Sequence, residues 1–378
     1  MVVEYDGVVI HWFDFVWCSV DGNQALFQKL NHLIISYFYI FCRMITYKNI
    51  LTKIFTEGDW LHNRTGVDTK VVNGVMFEHD MRSGFPLLTT KKINLRTVLV
   101  ELEAFIKGIT DKRWFQARKC FIWDEWASPL VLNKYIWGEK TERDLRGVIA
   151  EIESMHETSP SISPKVAVAL DMLHAKPDVT YDDVRKLVQL YETDLGPVYG
   201  YQWRHFGANY FNADERNGGI DQLKNLITTL KNNPTDRRMI VSAWNPIEVQ
   251  NNTIALPACH WAFEVHSTGE YFDLIWHQRS VDVGAGLPFN IASYAMLMLL
   301  LEMETGKKPR YLKGMLGNTH IYADHMDALN TQLTREPRKL PTVTVDKTTW
   351  LGIDKWTCED FIIDGYDPHP FLKLPIAV

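Results

Sequence analysis

The chain has 378 residues, of which 46% are hydrophobic, and a formal net charge of −6. This length supports one large core or two ordinary domains, and the mild acidity argues against a nucleic-acid coat protein, which would carry a basic surplus. Five scattered cysteines without a C-x-x-C pair argue against a zinc site or a disulfide framework. They predict reduced thiols in the cytoplasm.

The first 43 residues differ from the rest of the chain. Their apolar run at residues 33–42 is too short to span a bilayer, and neither a basic region nor a small-residue cleavage site marks a signal peptide. Two interpretations stay open: a buried or disordered extension, or an upstream segment that is not translated, with Met44 as the start. The main domain is expected at residues 44–378.

The periodicity of apolar residues predicts a chain in which strands and helices are segregated. The predicted elements, in chain order, are a helix at 45–58, a strand at 67–79, helices at 95–107 and 220–233, strands at 239–244, 261–266 and 271–278, and a helix at 291–303. Residues 128–193 hold three further helical patterns at 145–155, 166–173 and 181–191 but no chemical motif, which predicts a small helical insert. Because the elements do not alternate as βαβ units, the predicted fold class is α+β.

Cys259 is the candidate nucleophile. A free cysteine is more often a small buried hydrophobe. Here it follows Pro257 at the mouth of a strand, with His260 adjacent and Arg279 further along the chain. Cationic neighbours lower the pKa of a thiol and raise its thiolate fraction. We therefore expect Cys259 to attack an electrophile covalently.

Four arginines are candidates for binding a doubly charged phosphate. Arg237 and Arg238 precede a predicted strand. With Arg64 and Arg279 they offer four planar guanidinium groups, each able to donate two hydrogen bonds to a phosphate. Tandem arginines more often form a solvated face, so the phosphate interpretation depends on the neighbouring Cys259.

Asn290 ends a turn framed by glycine and proline at residues 284–290. Its amide can donate to one ring carbonyl and accept from an adjacent ring N–H, which is the pattern of a uracil edge. An aspartate at this position would suit cytosine better. The alternative role is an N-cap for the apolar helix that follows, and both roles are compatible.

Other polar and aromatic residues suit a nucleotide site, each with a structural alternative. His320 and Tyr322 project to one side of a strand and could bond a sugar hydroxyl, or pack in the core. Glu101 lies on an apolar helix, which favours a raised pKa and general acid–base catalysis. Trp123 and Trp126 could stack on a pterin-like ring or serve as core aromatics.

Together these segments resemble the thymidylate synthase family over residues 45–127 and 194–378. The resemblance implies an α+β fold with a mixed sheet packed on helices, and a homodimer formed through the sheet. It also implies a phosphate held by Arg64, by Arg279 and by the partner subunit's Arg237 and Arg238. The motifs that carry it are Arg64–Gly66, Phe85–Lys92, Ile122–Trp126, Asp194–Gly200, Gln202–Arg204, Asp236–Arg238, the Cys259 and Asn290 segments, Arg335–Arg338 and Gly365–Pro370.

The resemblance also implies a reaction. Cys259 would add to C6 of dUMP, and C5 would then attack the one-carbon unit of 5,10-methylenetetrahydrofolate; no metal is expected. The implied catalytic residues are Cys259, Glu101, Tyr199, Arg279 and Asp282. The implied substrate residues are Arg64, Arg237, Arg238, Gln278, Arg279, Ser280, Asp282, Asn290, His320 and Tyr322. The implied folate residues are Lys91, Asn94, Trp123, Trp126, Asp282, Gly286 and Val378, the last in the tail that closes the site.

Several positions depart from the usual synthase pattern: Asn94, Glu103, Ala104, Ala285 and Asn318. At Asn94, Glu103 and Asn318 the sequence resembles the phage deoxycytidylate hydroxymethylases. Ala104 and Ala285 remove side-chain bulk where folate and the C-terminal tail would pack. After folate leaves, the exocyclic methylene at C5 would then take water instead of hydride. The expected product is 5-hydroxymethyl-dUMP, made by a phage enzyme in the host cytoplasm.

Two alternatives stay open. The first is thymidylate synthase, which the retained tail and both tryptophans favour. The second is a protein that binds a nucleotide or RNA without turnover, which the intact set of Cys259, Glu101 and Asn290 argues against.

Overall fold

The structure, a computed structural model, describes residues 2–5, 8–11, 45–63, 65–129, 145–215 and 218–375. The chain divides into two units, Met1–Ile45 and Thr46–Val378. In the first unit, β1 (Val2–Tyr5) and β2 (Val8–His11) form an antiparallel pair. The interpretations of residues 1–43 stay predictions, because residues 12–44 lie outside the described part.

From residue 45 the chain forms the helices and strands of the main body. They are α1 (Ile45–Glu57), β3 (Asp59–Leu61), β4 (Thr69–Asp80), α2 (Leu95–Ile106), α3 (Lys112–Gln116), α4 (Leu145–Thr158), α5 (Pro164–Ala175), α6 (Tyr181–Tyr191), α7 (Tyr199–His205), α8 (Gln222–Asn232), β5 (Ile240–Ser242), α9 (Pro246–Gln250), β6 (His260–Ser267), β7 (Tyr271–Asp282), α10 (Gly286–Thr305), β8 (Lys308–Tyr322), α11 (Met326–Leu333), β9 (Thr342–Val345) and β10 (Phe361–Asp364). The predicted α+β class is confirmed.

A six-stranded mixed sheet in the order β3-β4-β8-β7-β6-β5 forms the centre of this body. Its pairs are antiparallel except β7 with β8, which run parallel. A parallel pair needs a crossover connection, and α10 supplies it. Strands β9 and β10 form a separate antiparallel pair.

The crossover helix α10 is the buried centre of the fold. This helix of 20 residues is long and apolar enough to span a membrane by length and composition, but most of it is buried inside the protein, as in a core helix. It begins at Gly286 rather than at the predicted residue 291, because Pro288 lies in the first turn, where a missing N–H costs nothing. The N-cap is Ala285, so the alternative role of Asn290 as an N-cap is wrong.

Helix α2 and the short helix α7 pack closely, and this contact places two predicted site residues. Asn94 caps α2 by accepting the N–H of Thr97 at 3.4 Å. On α7, a Cβ at Gly200 would lie 2.6 Å from the carbonyl oxygen of Phe105, so only glycine permits this approach. The Tyr199 ring consequently stacks on Phe105 at 4.8 Å.

The three helices predicted within residues 128–193 are confirmed as α4, α5 and α6. They pack around apolar residues of their own, among them Ile152, Leu170 and Leu187. Buried Lys112 ties them to the loop that follows α3, since its ammonium donates to the carbonyls of Asp124 and Gln189, each at 2.6 Å. Their status as an insert stays a prediction.

Candidate active site

The thiol of Cys259 and the guanidinium of Arg279 lie side by side where β6 begins and β7 ends. The N–H of Arg279 donates to the Cys259 carbonyl at 2.8 Å, and its Nη2 lies 3.8 Å from the Cys259 Sγ. Two carbonyls hold the guanidinium in place, that of Ala258 at 3.0 Å from Nε and that of Pro257 at 2.7 Å from Nη2. A fixed positive charge at this distance favours the thiolate.

His260 does not supply a second positive charge, which corrects the sequence-based expectation. Adjacent residues of a strand point to opposite faces. His260 faces the interior, where Nδ1 lies 3.0 Å from the Tyr294 hydroxyl and its ring stacks on Tyr199 at 4.3 Å. Burial lowers the pKa of His260 to about 3, so the imidazole is neutral and structural.

The Tyr199 side chain contacts the backbone of the nucleophile, Cys259. The N–H of Cys259 donates to the Tyr199 hydroxyl oxygen at 2.7 Å. Burial, and then the charge of Cys259, raise the pKa of Tyr199 well above its usual value. The phenol therefore keeps its own proton and can donate it within the site.

Glu101 on α2 is paired with Trp123, whose indole N–H donates to Oε1 at 2.9 Å. Burial raises the pKa of Glu101 to about 7, although the indole bond acts in the opposite direction. A carboxyl with this pKa can give and take a proton near neutral pH. No sequence periodicity relates these two residues, which are 22 positions apart, so the pair is visible only in the tertiary structure.

The two tryptophans predicted to stack on a pterin differ in exposure. Trp123 is 4% exposed and packs against Phe105, Phe115 and Tyr199. Trp126 is half-buried, and its backbone N–H donates to the Trp123 carbonyl at 3.2 Å. In this structure Trp123 thus contacts protein rings on several sides, and its polar edge serves Glu101.

Gln278 fixes the side-chain amide of Asn290. Its Nε2 donates to Asn290 Oδ1 at 3.0 Å and to the Ser280 carbonyl at 3.1 Å, while its Oε1 accepts the Trp276 indole N–H at 3.1 Å. The Asn290 oxygen thereby keeps one further acceptor position. This orientation leaves the NH₂ group to donate, as a uracil edge requires.

Asp282 ends β7 beside the start of α10. Its Oδ1 accepts the N–H groups of Gly284 at 2.8 Å and Ala285 at 3.2 Å. A Cβ at Gly286 would lie 4.0 Å from both Asp282 Cβ and Asn290 Oδ1. Asp282, Gly286 and Asn290 therefore share one strand-to-helix junction.

The parallel strand β8 brings His320 to this junction, opposite Asp282 in the register. His320 Nδ1 lies 2.8 Å from Asn318 Oδ1, and its ring contacts Tyr322 edge-on at 5.3 Å. Burial lowers the pKa of His320, so the ring is neutral at pH 7. The expected placement of both rings on one side of a strand is consistent with this contact.

Five predicted residues remain: one is buried, two are exposed and two lie outside the described residues. Lys91 is buried, its ammonium donates to the Gly284 carbonyl, and burial lowers its pKa to about 8. Arg237 and Arg238 are exposed ahead of β5, and Arg238 pairs with Asp236 at 2.6 Å. Arg64 and Val378 lie outside the described residues.

Glu103 does not face the predicted folate side. Its Oε1 accepts from Lys107 at 2.6 Å, and Lys107 also donates to the Trp356 carbonyl at 2.8 Å. Residues two apart on a helix do not share a face, so Glu103 points away from Glu101. Glu103 therefore gives no support to the addition of water at the C5 methylene.

Comparisons with known proteins give one consistent result. A family model described as thymidylate synthase matches residues 45–378. The chain is 35% identical over 334 residues to the thymidylate synthases of Herpesvirus ateles and of Equine herpesvirus 2 (strain 86/87), covering 88% of this chain and 97% of each relative. It is 34% identical over 337 residues to that of Varicella-zoster virus (strain Dumas), covering 88% of this chain and 94% of the relative.

Replacing Trp123 with phenylalanine tests the electrostatics of Glu101. The Trp123→Phe change removes an N–H that stabilises the carboxylate, so we expect the pKa of Glu101 to rise by about one unit. Carboxyl ¹³C NMR titration measures this shift directly. Trp126→Phe is the matched control and should leave the titration unchanged; an unchanged Glu101 pKa in Trp123→Phe would contradict the assignment.

Proposed function

Because the chain belongs to the thymidylate synthase family, we propose that it is a thymidylate synthase, which converts dUMP to dTMP and releases dihydrofolate. The placement of Arg279 beside the Cys259 thiol, with Tyr199 bonded to the Cys259 N–H, carries the proposal. Relatives that are named thymidylate synthases support this alternative better than the hydroxymethylase expected from the sequence departures.

The first step is attack by Cys259 on the pyrimidine ring. The Sγ forms a bond to C6 of dUMP, and the electron pair of the C5–C6 double bond moves toward C5 and O4. Asn290, oriented by Gln278, donates to O4 and accepts from the ring N3–H. The same side chain therefore selects uracil and stabilises the charge that develops at O4.

Proton transfer is assigned to Glu101, and alignment of the thiol is assigned to Tyr199. Since the pKa of Glu101 is about 7, the carboxyl can donate a proton toward O4 and take it back in a later step. Tyr199 keeps its phenolic proton and holds the Cys259 backbone, so the thiol stays aligned with C6. Once C5 has bonded to the one-carbon unit, loss of the C5 proton would expel the folate amine and leave a methylene group at C5. The hydride that the folate would supply to this methylene then lets the C6–S bond break and frees the thiolate.

The residues near Asp282 fit a reduced folate. When bound, methylenetetrahydrofolate supplies the one-carbon unit and, in a synthase, the hydride that completes the methyl group. Asp282, whose carboxylate is held by two backbone N–H groups, can accept from the N–H donors of a pterin. Gly286 leaves space beside it. A negatively charged folate tail would have to displace the Gly284 contact to reach Lys91.

The departures from the synthase pattern give little support to hydroxymethylation. Asn94 caps α2, and Glu103 turns to Lys107. Ala285 and Asn318 do lie at the site, because the Ala285 N–H binds Asp282 and the Asn318 side chain contacts His320. Together with the fully buried Ala104, these two positions carry the remaining argument for a different product.

We also propose that the protein is a homodimer through its sheet. Met76 lies opposite Met315, and Met315 is paired with His277, whose ring contacts Trp261 at 5.4 Å. The face of the sheet on which these residues lie carries exposed apolar side chains, which include Met76, Ile240, Trp261 and Met315. An apolar face of this kind is typical of an interface. Pairing would let the partner subunit's Arg237 and Arg238 reach the phosphate.

Incubation with dUMP and methylenetetrahydrofolate tests the product. We expect an absorbance increase from dihydrofolate and a methylated nucleotide by mass spectrometry. Cys259→Ala should abolish turnover, whereas Cys358→Ala, outside the site, should retain it. A product one oxygen heavier than dTMP, with tetrahydrofolate released, would instead identify a hydroxymethylase.

The base preference follows from Asn290. An aspartate cannot donate to O4 when ionised and accepts well from an exocyclic amine. Asn290→Asp should therefore raise KM for dUMP by about tenfold or more and permit turnover of dCMP. Asn225→Asp on the exposed side of α8 is the control. Retained dUMP preference in Asn290→Asp would contradict the assignment.

Subunit mixing tests the shared phosphate site. Cys259→Ala and Arg237→Ala subunits should each have little activity alone. After subunit exchange they should recover about a quarter of the wild-type activity, since half of the dimers are mixed and each has one complete site. Cys259→Ala mixed with Arg279→Ala is the control and should recover none. Absence of recovery in the first mixture would refute a partner contribution.

A further inference from the structure

His325 lies between the predicted folate carboxylate and the C-terminal segment. It ends the short helical turn Ala323–His325 and is fully buried. Its Nε2 lies 2.6 Å from the Pro375 carbonyl oxygen, and its Nδ1 lies 3.7 Å from Asp282 Oδ1. One imidazole thus lies between Asp282 and the C-terminal segment, residues 371–375.

Gly284 makes this arrangement possible. A Cβ at Gly284 would lie 3.1 Å from His325 Nδ1 and 3.2 Å from Asp282 Oδ1. The N–H of Gly284 also fixes that carboxylate oxygen at 2.8 Å. Among the described residues, Nδ1 has no hydrogen-bond acceptor, so its nearest charged neighbour is Asp282.

The C-terminal segment depends on His325 for its last hydrogen bond. Upstream, the His369 N–H donates to the Thr89 carbonyl at 2.7 Å, and Arg335 donates to the Pro370 carbonyl at 2.8 Å. In the part of the chain that the structure describes, residues 371–375 make one hydrogen bond, which joins the Pro375 carbonyl to His325. The imidazole is therefore positioned to hold the segment against the body.

The charges around His325 favour its protonated form. Burial lowers its pKa, but the contacts with Asp282 and the Pro375 carbonyl, together with the charge of Asp324 at 3.9 Å, raise the pKa above its usual value. The other titratable groups near this cluster are His320 on β8 and the ring of Tyr322, and Lys91 and Tyr47 face the Asp282 loop. The proton on Nδ1 is consequently lost at a higher pH than the proton of an ordinary histidine.

We propose that His325 is a positioning residue that couples Asp282 to the C-terminal segment, so that folate binding and anchoring of this segment depend on the same imidazole. The inference rests on the proposed synthase function. When protonated, the ring donates to Pro375 and offers Nδ1–H to Asp282. When Nδ1 loses its proton, its lone pair faces the carboxylate, and the two repel. The segment is then held less firmly and folate binds less tightly.

His325→Gln tests the coupling by steady-state kinetics. Glutamine can donate to Pro375 but carries no charge. In the wild type we expect KM for methylenetetrahydrofolate to rise by about tenfold between pH 6 and pH 8.5, and in His325→Gln we expect little change over this range. KM for dUMP should not follow this pattern. The control His174→Gln, on α5, should behave as the wild type.

Hydrogen exchange gives a readout that needs no turnover. In the wild type without ligand, exchange in the C-terminal peptide, relative to intrinsic rates, should accelerate from pH 6 to pH 8.5. In His325→Gln it should not depend on pH. The same pH dependence in both proteins would overturn the role of His325, even if dUMP is converted. Failure to convert dUMP would instead refute the proposed function.

A further measurement tests the proposal without His325→Gln, in case that variant folds poorly. Ring ¹⁵N NMR reports protonation of His325 in the full chain, and Asp282→Asn should lower its pKa by about one unit. An unchanged pKa would show that the imidazole does not sense the carboxylate and would overturn the proposal.

Discussion

The parallel pairing of β7 with β8 is the constraint on which the site depends. A parallel pair requires a crossover, and the buried helix α10 provides it between the two strands. The end of β7, the first turns of α10 and the end of β8 therefore meet at one place. Asp282, Asn290 and His320 occupy that place, each contributed by a different element.

Burial determines the charges at the site more than ion pairing does. It raises the pKa of Glu101 and of Tyr199, and it lowers the pKa of His260. Near pH 7, His260 and Tyr199 are consequently neutral, while Glu101 is close to its midpoint. Arg279 remains as the fixed positive charge beside the Cys259 thiol. The Cys259 thiol beside a positive charge and the buried Glu101 carboxyl can thus act as nucleophile and acid in one reaction.

The loop from Asp282 to Gly286 is held from several sides, which explains how distant segments can affect it. The Tyr47 hydroxyl donates to the Val283 carbonyl at 2.9 Å, the Lys91 ammonium donates to the Gly284 carbonyl, and His325 faces Asp282. These contacts come from α1, from the loop before α2 and from the turn after β8. A carboxylate supported in this way is preorganised for a ligand.

The sequence by itself determined the fold class, the family and the approximate positions of the elements with clear periodicity, because periodicity and local motifs encode these directly. It gave no bounds for β8, on which the site depends, or for the short helices and edge strands. It also predicted Cys259 and Arg279 as candidates, and one strand pair brings them together. Only the tertiary structure decided which residues act together. Trp123 meets Glu101, Gln278 orients Asn290, and His325 meets Pro375 through contacts between separate elements. The neutral state of His260 likewise follows from burial, which no local pattern reveals.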